Sequence, residues 1–307
     1  MDSLKAAVLG DIHGNHRALR ACVEDALSLG AECFVLLGDF VTDFSYPERT
    51  MDLIHSLRKQ YPCYAVRGNR ERYLLERREG KTEFFPGSKT GSLLYTYERL
   101  REKDFTFFAG LPIYDRVALG GFPVEISHAE KESDSLVFQP GQERMQDIFH
   151  SMETKLLLTA HSHLQYLERR GDKVIVNPGA AGVPMRMVGR SPYALLEFSP
   201  NGVSCRLRQV PMDLEPIIRD QFDSGLVQEG GYWAIAILNN LLTGRNRTIA
   251  ILNRVLEQNG AFREEVWARC ARELGLAVTM EELLALWERQ KQSQSSGNES
   301  GEWQVLF

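Results

Sequence analysis

The chain has 307 residues, 43% of them hydrophobic and 25% charged, with a formal net charge of −5. That length can bury one large core, or one core with a smaller appended domain, and the balance is that of an ordinary globular protein. The acidic balance argues against broad nucleic-acid binding driven by phosphate neutralisation, and no run approaches the roughly 20 apolar residues needed to span a bilayer.

Taken in chain order, short apolar runs end in a small or polar residue and then deliver a polar side chain. LKAAVLGD ends at Asp11 and reads as a first strand, not as a leader peptide. Residues 16–29 have helical period, ECFVLLGD ends at Asp39, and Pro47–Gln60 forms a second amphipathic helix. CYAVRGN ends at Asn69, ERYLLERREG reads as helix, and KTEFFPGSKTGS reads as loop. VEISH then ends at His128, KLLLTAHSH at His161 and His163, and KVIVNPG at Asn177. The last strand-like runs are 193–198 and 203–210. From there to about 291 the period is helical, with Gly260 and Gly275 expected as C-terminal stops. Trp233, Trp267 and Trp287 stand among aliphatic residues at helical intervals and are expected in a core. The polar, low-complexity end at 292–307 is expected to be a mobile tail. The five cysteines are scattered and make no CxxC pair, so they read as reduced thiols of a cytoplasmic protein.

Strands alternating with helices indicate sheet covered by helix, and in such folds ligands gather outside the carboxyl ends of the strands. Asp11 and His13, two apart in an extended segment, point to one face, and His161 and His163 repeat that geometry. Asp39, Asn69 and His128 add a carboxylate, an amide oxygen and an imidazole at three further strand ends. Singly each has a dull explanation as a cap, turn or core residue. Jointly they hold four of the chain's seven histidines. They also exceed what one tetrahedral zinc requires, so the set suits two adjacent ions with Asp39 as the bridging carboxylate.

The ordered set GDIHGN (10–15), GD (38–39), GNRE (68–71), SH (127–128), AHSH (160–163) and NPG (177–179) resembles the calcineurin-like metallophosphoesterase superfamily. Within it, the chain is most similar to the compact bacterial phosphodiesterase-like branch, over residues 4–210. The resemblance implies an α/β fold in which a two-sheet β-sandwich is flanked by helices, in place of a simple open sheet. It makes 1–210 the catalytic domain and leaves 211–291 as a small helical C-terminal domain. It assigns Asp11, His13, Asp39 and His163 to one metal, and Asp39, Asn69, His128 and His161 to the other. Manganese or iron is implied most often, with nickel or zinc also used.

The activity implied is hydrolysis by a hydroxide bridging the metals, with Asp39, Asn69, Arg70 and His128 as the catalytic set. The expected substrate is a small phosphodiester or nucleotide polyphosphate, for instance a dinucleoside polyphosphate such as diadenosine tetraphosphate. Arg70 departs from the GNHE of many relatives: a guanidinium is an implausible proton donor, so leaving groups that depart unprotonated are expected. A protein Ser/Thr phosphatase and a metal-binding scaffold on the same fold are the competing readings. A nuclease is disfavoured by the acidic balance. His16, Arg70, Asn177, Arg186 and Arg190 are the expected substrate contacts, and Asp43 and Tyr46 are candidates for the pocket entrance. The expected partner is a small phosphorylated molecule and not a membrane; a homo-oligomer stays open, as does a helical domain that covers the cleft.

Overall fold

The computed structural model describes residues 3–136, 139–260, 263–294 and 303–306. In chain order the elements are β1 (Leu4–Leu9), α1 (His16–Ser28), β2 (Cys33–Leu36), α2 (Pro47–Gln60), β3 (Cys63–Ala65), α3 (Asn69–Arg78), α4 (Gly91–Tyr97) and α5 (Glu102–Ala109). There follow β4 (Tyr114–Leu119), β5 (Phe122–Ser127), α6 (Arg144–Ser151), β6 (Leu156–Leu158), β7 (Gln165–Arg170), β8 (Lys173–Pro178), β9 (Arg190–Ser199) and β10 (Gly202–Pro211). The chain closes with α7 (Glu215–Asp223), α8 (Leu226–Thr243), α9 (Arg247–Glu257), α10 (Glu264–Glu273), α11 (Met280–Gln294) and β11 (Trp303–Leu306).

The strands form two mixed sheets, in the orders β11-β10-β9-β1-β2-β3 and β4-β5-β6-β8-β7. Period-two alternation explains why they stack. In β1, Ala6 and Val8 join Val124, Ile126, Leu156, Leu158, Val174 and Val176 of the second sheet in the core between the sheets. Ala7 and Leu9 point the other way, onto Leu19 and Cys22 of α1 and Met51 and Ile54 of α2. On the far side of the second sheet, Leu157 and Ile175 pack against Met145 and Phe149 of α6. Every central strand is therefore covered on both faces, which is why these runs are nearly continuously apolar. The result is a two-sheet sandwich flanked by helices. A single open sheet is ruled out because the strands divide between two sheets whose facing sides share one apolar core.

Beyond the sandwich, α7–α11 enclose a core of their own containing Trp233, Trp267 and Trp287. Ala18, Phe44 and Val183 from the sandwich side belong to the same apolar cluster, so the helices are seated on the sandwich. Gly275 takes the left-handed conformation expected of a helix stop (φ 62°). At the end of α9 that conformation belongs to Asn259 instead (φ 49°). Gly260 serves packing there, since a Cβ on it would fall 2.3 Å from Val266 Cγ1. Of the expected mobile tail, residues 295–302 and 307 lie outside the described residues. Trp303–Leu306 differ from that expectation: they pair antiparallel with β10, whose outer edge offers unpaired peptide groups. Among the described residues no helix is long and apolar enough to cross a membrane.

One close approach fixes the site's floor. A Cβ on Gly182 would lie 1.9 Å from the carbonyl oxygen of Ile12, between Asp11 and His13. Because the obstacle is backbone, Gly182→Ala should cost about 2–3 kcal/mol of stability, read by denaturant unfolding. An unchanged midpoint would contradict this packing.

Candidate metal centre

The loops that leave β1, β2, β5 and β6, together with the first turn of α3, converge on one rim of the sandwich. Asp11, His13, Asp39, His161 and His163 all have positive φ, between 51° and 62°. Non-glycine residues rarely adopt this conformation, and its cost persists only where the surrounding structure over-determines it. Backbone bonds do so here: Asp11 N–H reaches Gly38 O at 3.1 Å, and His13 N–H reaches Asp39 O at 2.8 Å. Two adjacent strand ends are thereby laced together before any side chain is considered.

Two groups of side chains each bring three ligand atoms within 4.8 Å of one another: Asp11, His13 and His163, and Asp39, His128 and His161. Within the first, His13 Nε2 lies 3.2 Å from His163 Nε2, and His163 Nε2 lies 3.6 Å from Asp11 Oδ1. In the second, His128 Nε2 is 3.1 Å from His161 Nδ1 and 3.2 Å from Asn69 Oδ1. Asp39 Oδ2 stands between the groups, 3.7 Å from His13 Nε2 and 3.5 Å from His128 Nε2.

Because His13, His128 and His163 each donate through Nδ1, their Nε2 lone pairs converge on these short contacts, which a cation would reconcile. Asp11 Oδ1 points the same way, since it is buried and has no hydrogen-bond partner, a costly state for a carboxylate unless an ion completes it. The mixed oxygen and nitrogen donors therefore fit a pair of ions. The pattern is compatible with a dinuclear site.

Electrostatics agree. Burial, and after it Asp39, raise the Asp11 carboxyl above its usual range. For Asp39 burial works upward, but His128, His13 and Arg70 outweigh it and bring the carboxyl down to about 2. Burial, with His128 adding to it, lowers His161 to about 4. Burial and His13 likewise lower His163. These two imidazoles are thus neutral near pH 7, the form that binds metal.

A second ring of contacts aims the ligands. His128 Nδ1 donates to Leu37 O at 2.7 Å and His163 Nδ1 to Val183 O at 3.0 Å. Each bond fixes the tautomer and leaves Nε2 facing inward. His13 Nδ1 does the same toward Asp43 Oδ2 at 3.1 Å. Glu71, fully buried, accepts the N–H groups of Asp39, Phe40 and Gly68, each at 2.8 Å. Its carboxylate ties the Asp39 loop to the start of α3. Neither role is visible in the local sequence; the weak signal for Glu71 is its place three residues after Gly68, where it caps α3.

Asp43 is a buried node, not an entrance residue. Its Oδ2 meets Arg70 Nη2 at 3.2 Å, and its Oδ1 accepts Trp233 Nε1–H at 2.8 Å. Burial would raise its carboxyl, yet Arg70, His13 and Trp233 together hold it well below the usual range. The main chain of this segment is also gripped from α7, where Gln221 Nε2 donates to Asp43 O at 3.0 Å and Gln221 Oε1 accepts Ser45 N–H at 2.7 Å. Tyr46 lies under the Arg49 guanidinium, 3.9 Å from the ring centroid, and edge-on to His16 at 6.2 Å.

The other expected substrate contacts are dispersed. His16 opens α1 and is buried, and its pKa falls to about 4 through burial and the neighbouring Arg17. Asn177 lies inside β8, not past its end, and its amide is fully engaged. Nδ2 donates to Ala160 O at 2.8 Å and Oδ1 accepts Gly179 N–H at 2.9 Å, so it braces the loop carrying His161. Arg186 is exposed beside Met185 and Met187, lining a separate cavity. Arg190 reaches Gln209 O on β10. Neither arginine has a described contact with the ligand set. Arg70 alone of this group is placed at the metal rim, its side chain 17% exposed and its N–H on Asp39 Oδ1 at 2.9 Å.

Comparison with known proteins agrees with this geometry. Residues 4–201 match the model of the calcineurin-like phosphoesterase superfamily domain. An uncharacterized protein of Methanocaldococcus jannaschii is 24% identical over 208 residues, covering 62% of this chain and 82% of that protein. Among solved structures, a hypothetical protein from Pyrococcus horikoshii is similar with a TM-score of 0.63 at 20% identity, covering 74% of this chain and 99% of that one. A metallophosphoesterase from Sphaerobacter thermophilus has a TM-score of 0.59 at 18% identity, covering 73% and 95%. Helices α7–α11 lie beyond the matched domain.

Proposed function

We propose that this chain, which belongs to the calcineurin-like phosphoesterase superfamily, hydrolyses a small phosphodiester or nucleotide polyphosphate whose leaving group departs without a proton. One ion would be held by Asp11, His13, Asp39 and His163, the other by Asp39, Asn69, His128 and His161. The observation that carries the reading is Asp39 Oδ2, set between His13 and His128 at 3.7 and 3.5 Å, beside the partnerless Asp11 Oδ1. The donor set of carboxylate, imidazole and amide does not choose among manganese, iron, nickel and zinc; the family resemblance favours manganese or iron. When bound, such a pair acidifies a water molecule and neutralises phosphoryl charge.

The chain's own contribution centres on Arg70. Asp43 holds one of its terminal nitrogens, and its buried Nε has no partner. The guanidinium is therefore aimed at the rim as a fixed charge with donors to spare for a phosphoryl oxygen. It has no proton to give at neutral pH. A general acid contributes about 10²–10⁴-fold to such reactions. Efficiency on p-nitrophenyl esters and nucleoside polyphosphates should therefore exceed that on an alkyl monoester by about 10²-fold or more. The measurement is kcat/KM across that panel, on protein loaded separately with manganese, iron, nickel and zinc. Equal efficiency on all esters, a phosphoserine peptide included, would defeat the proposal and favour the protein phosphatase reading. Bound metal without turnover would favour the scaffold.

A further inference from the structure

Beside Arg70 a cavity of about 560 Å³ runs from Asn69 and Arg70 outward to Lys89. Its walls carry Tyr73, Phe84, Phe85 and Trp233. That volume lies inside the roughly 300–1,000 Å³ range of small-molecule pockets, which typically combine aromatic walls with a few placed polar groups. It also opens at the residue whose backbone N–H holds Asp39. Phe84 and Trp233 are buried, whereas Phe85 is 48% exposed.

The wall is built into the fold. Phe85 N–H donates to Thr90 Oγ1 at 3.0 Å, Ser88 Oγ–H donates to Phe85 O at 2.7 Å, and Thr90 N–H donates to Ser88 Oγ at 3.1 Å. Gly87 N–H reaches Glu229 O on α8 at 2.8 Å. Gly91 lets α4 approach the same carbonyl, which a Cβ there would meet at 2.3 Å. The 82–90 segment is thus strapped to the C-terminal helices and presents its rings in place. The two carboxylates at the rim are neutralised, Glu76 by Arg72 at 2.9 Å and Glu83 by Arg77 at 2.5 Å. Arg70 keeps a donor beyond its Asp43 contact, and Lys89 also lines the cavity.

We infer that this cavity is a subsite for an aromatic base attached to the substrate's phosphate, with the ring against Phe85 and Tyr73 and the phosphate chain along Lys89 and Arg70. The inference rests on the proposal that the phosphate sits at Asn69 and Arg70, and it narrows the substrate to a nucleotide. A sugar phosphate or alkyl ester would leave the aromatic walls wet.

The test is calorimetric titration of the full metal-loaded chain with AMP and with ribose 5-phosphate, which carry the same phosphate with and without the base. AMP should bind about tenfold tighter, the upper range for one good aromatic contact. Phe85→Ala should bring AMP to within about twofold of ribose 5-phosphate and leave the latter unchanged, while Phe85→Trp should keep the preference. Equal binding of the two ligands to the unaltered chain would overturn the inference. So would a Phe85→Ala variant that weakens both ligands in proportion. Because binding is read directly, a preference for AMP in protein that turns over no phosphate ester would sink the hydrolase proposal and leave this subsite standing.

Discussion

Asp39→Asn is expected to lower kcat/KM by at least about 10³-fold, equivalent to about 4 kcal/mol of transition-state stabilisation, and to reduce the bound metal from two ions to one or none. The substitution is unusually clean. Asparagine tolerates the left-handed conformation that Asp39 occupies (φ 52°), and its amide oxygen can still accept the Arg70 N–H that Oδ1 now takes at 2.9 Å. What disappears is the charge on Oδ2, the atom between His13 and His128. Removing it also relieves the repulsion that helps raise the Asp11 carboxyl. Against the cost of burial, the attraction of His128, His13 and Arg70 brings the Asp39 carboxyl down to about 2, and the substitution removes that attraction too. Metal-free variant should therefore melt somewhat below metal-free parent, and activity is compared at a temperature where both are folded. Elemental analysis beside calorimetry checks both halves, and two tightly held ions with activity within tenfold of the parent would remove Asp39 from the bridging position.

Glu71→Gln should cost about 2–3 kcal/mol of stability. Burial and Asp39 already raise this carboxyl to about 8, and the main loss is a buried N–H left without its acceptor, about 1–3 kcal/mol. Its oxygens receive three N–H groups, two of them on Oε2. An amide keeps one acceptor and turns an NH₂ toward at least one of these donors. The loop carrying Asp39 would then lose its tether to α3. Activity should fall with stability, and adding metal should restore part of each, because ligands that bind only the folded form stabilise it. Denaturant unfolding at rising manganese concentration is the check; a variant as stable as the parent would mean that Glu71 holds nothing.

The part of this site that was readable from the sequence was its membership. Short, nearly continuous apolar runs end at Asp11, Asp39, Asn69, His128 and His161, and the structure draws all of these strand ends to one rim. What could not be read was how the members are held. Nothing in the letters Asp or His announces a left-handed backbone, which here arises from the lacing of Asp11 and His13 to the strand beside them. Trp233 reads as one more buried aromatic, and it is one. Its indole N–H nevertheless ends on Asp43, 190 positions away in the chain, a pairing no local pattern encodes. Asn177 is found bracing the His161 loop and Arg190 against Gln209 O on β10, for a related reason. Proximity in sequence to a ligand strand says little about which face of the next strand a side chain occupies.

The Trp233–Asp43–His13 chain has a thermodynamic consequence. A metal that fixed His13 would also fix Asp43, and through it α8 at Trp233, while Gln221 clamps the same loop from α7. Ion occupancy and the melting of the C-terminal helices are then two readings of one equilibrium, so that each raises the other by the same free energy. Helices that hold none of the ligands become a gauge of whether the site is loaded.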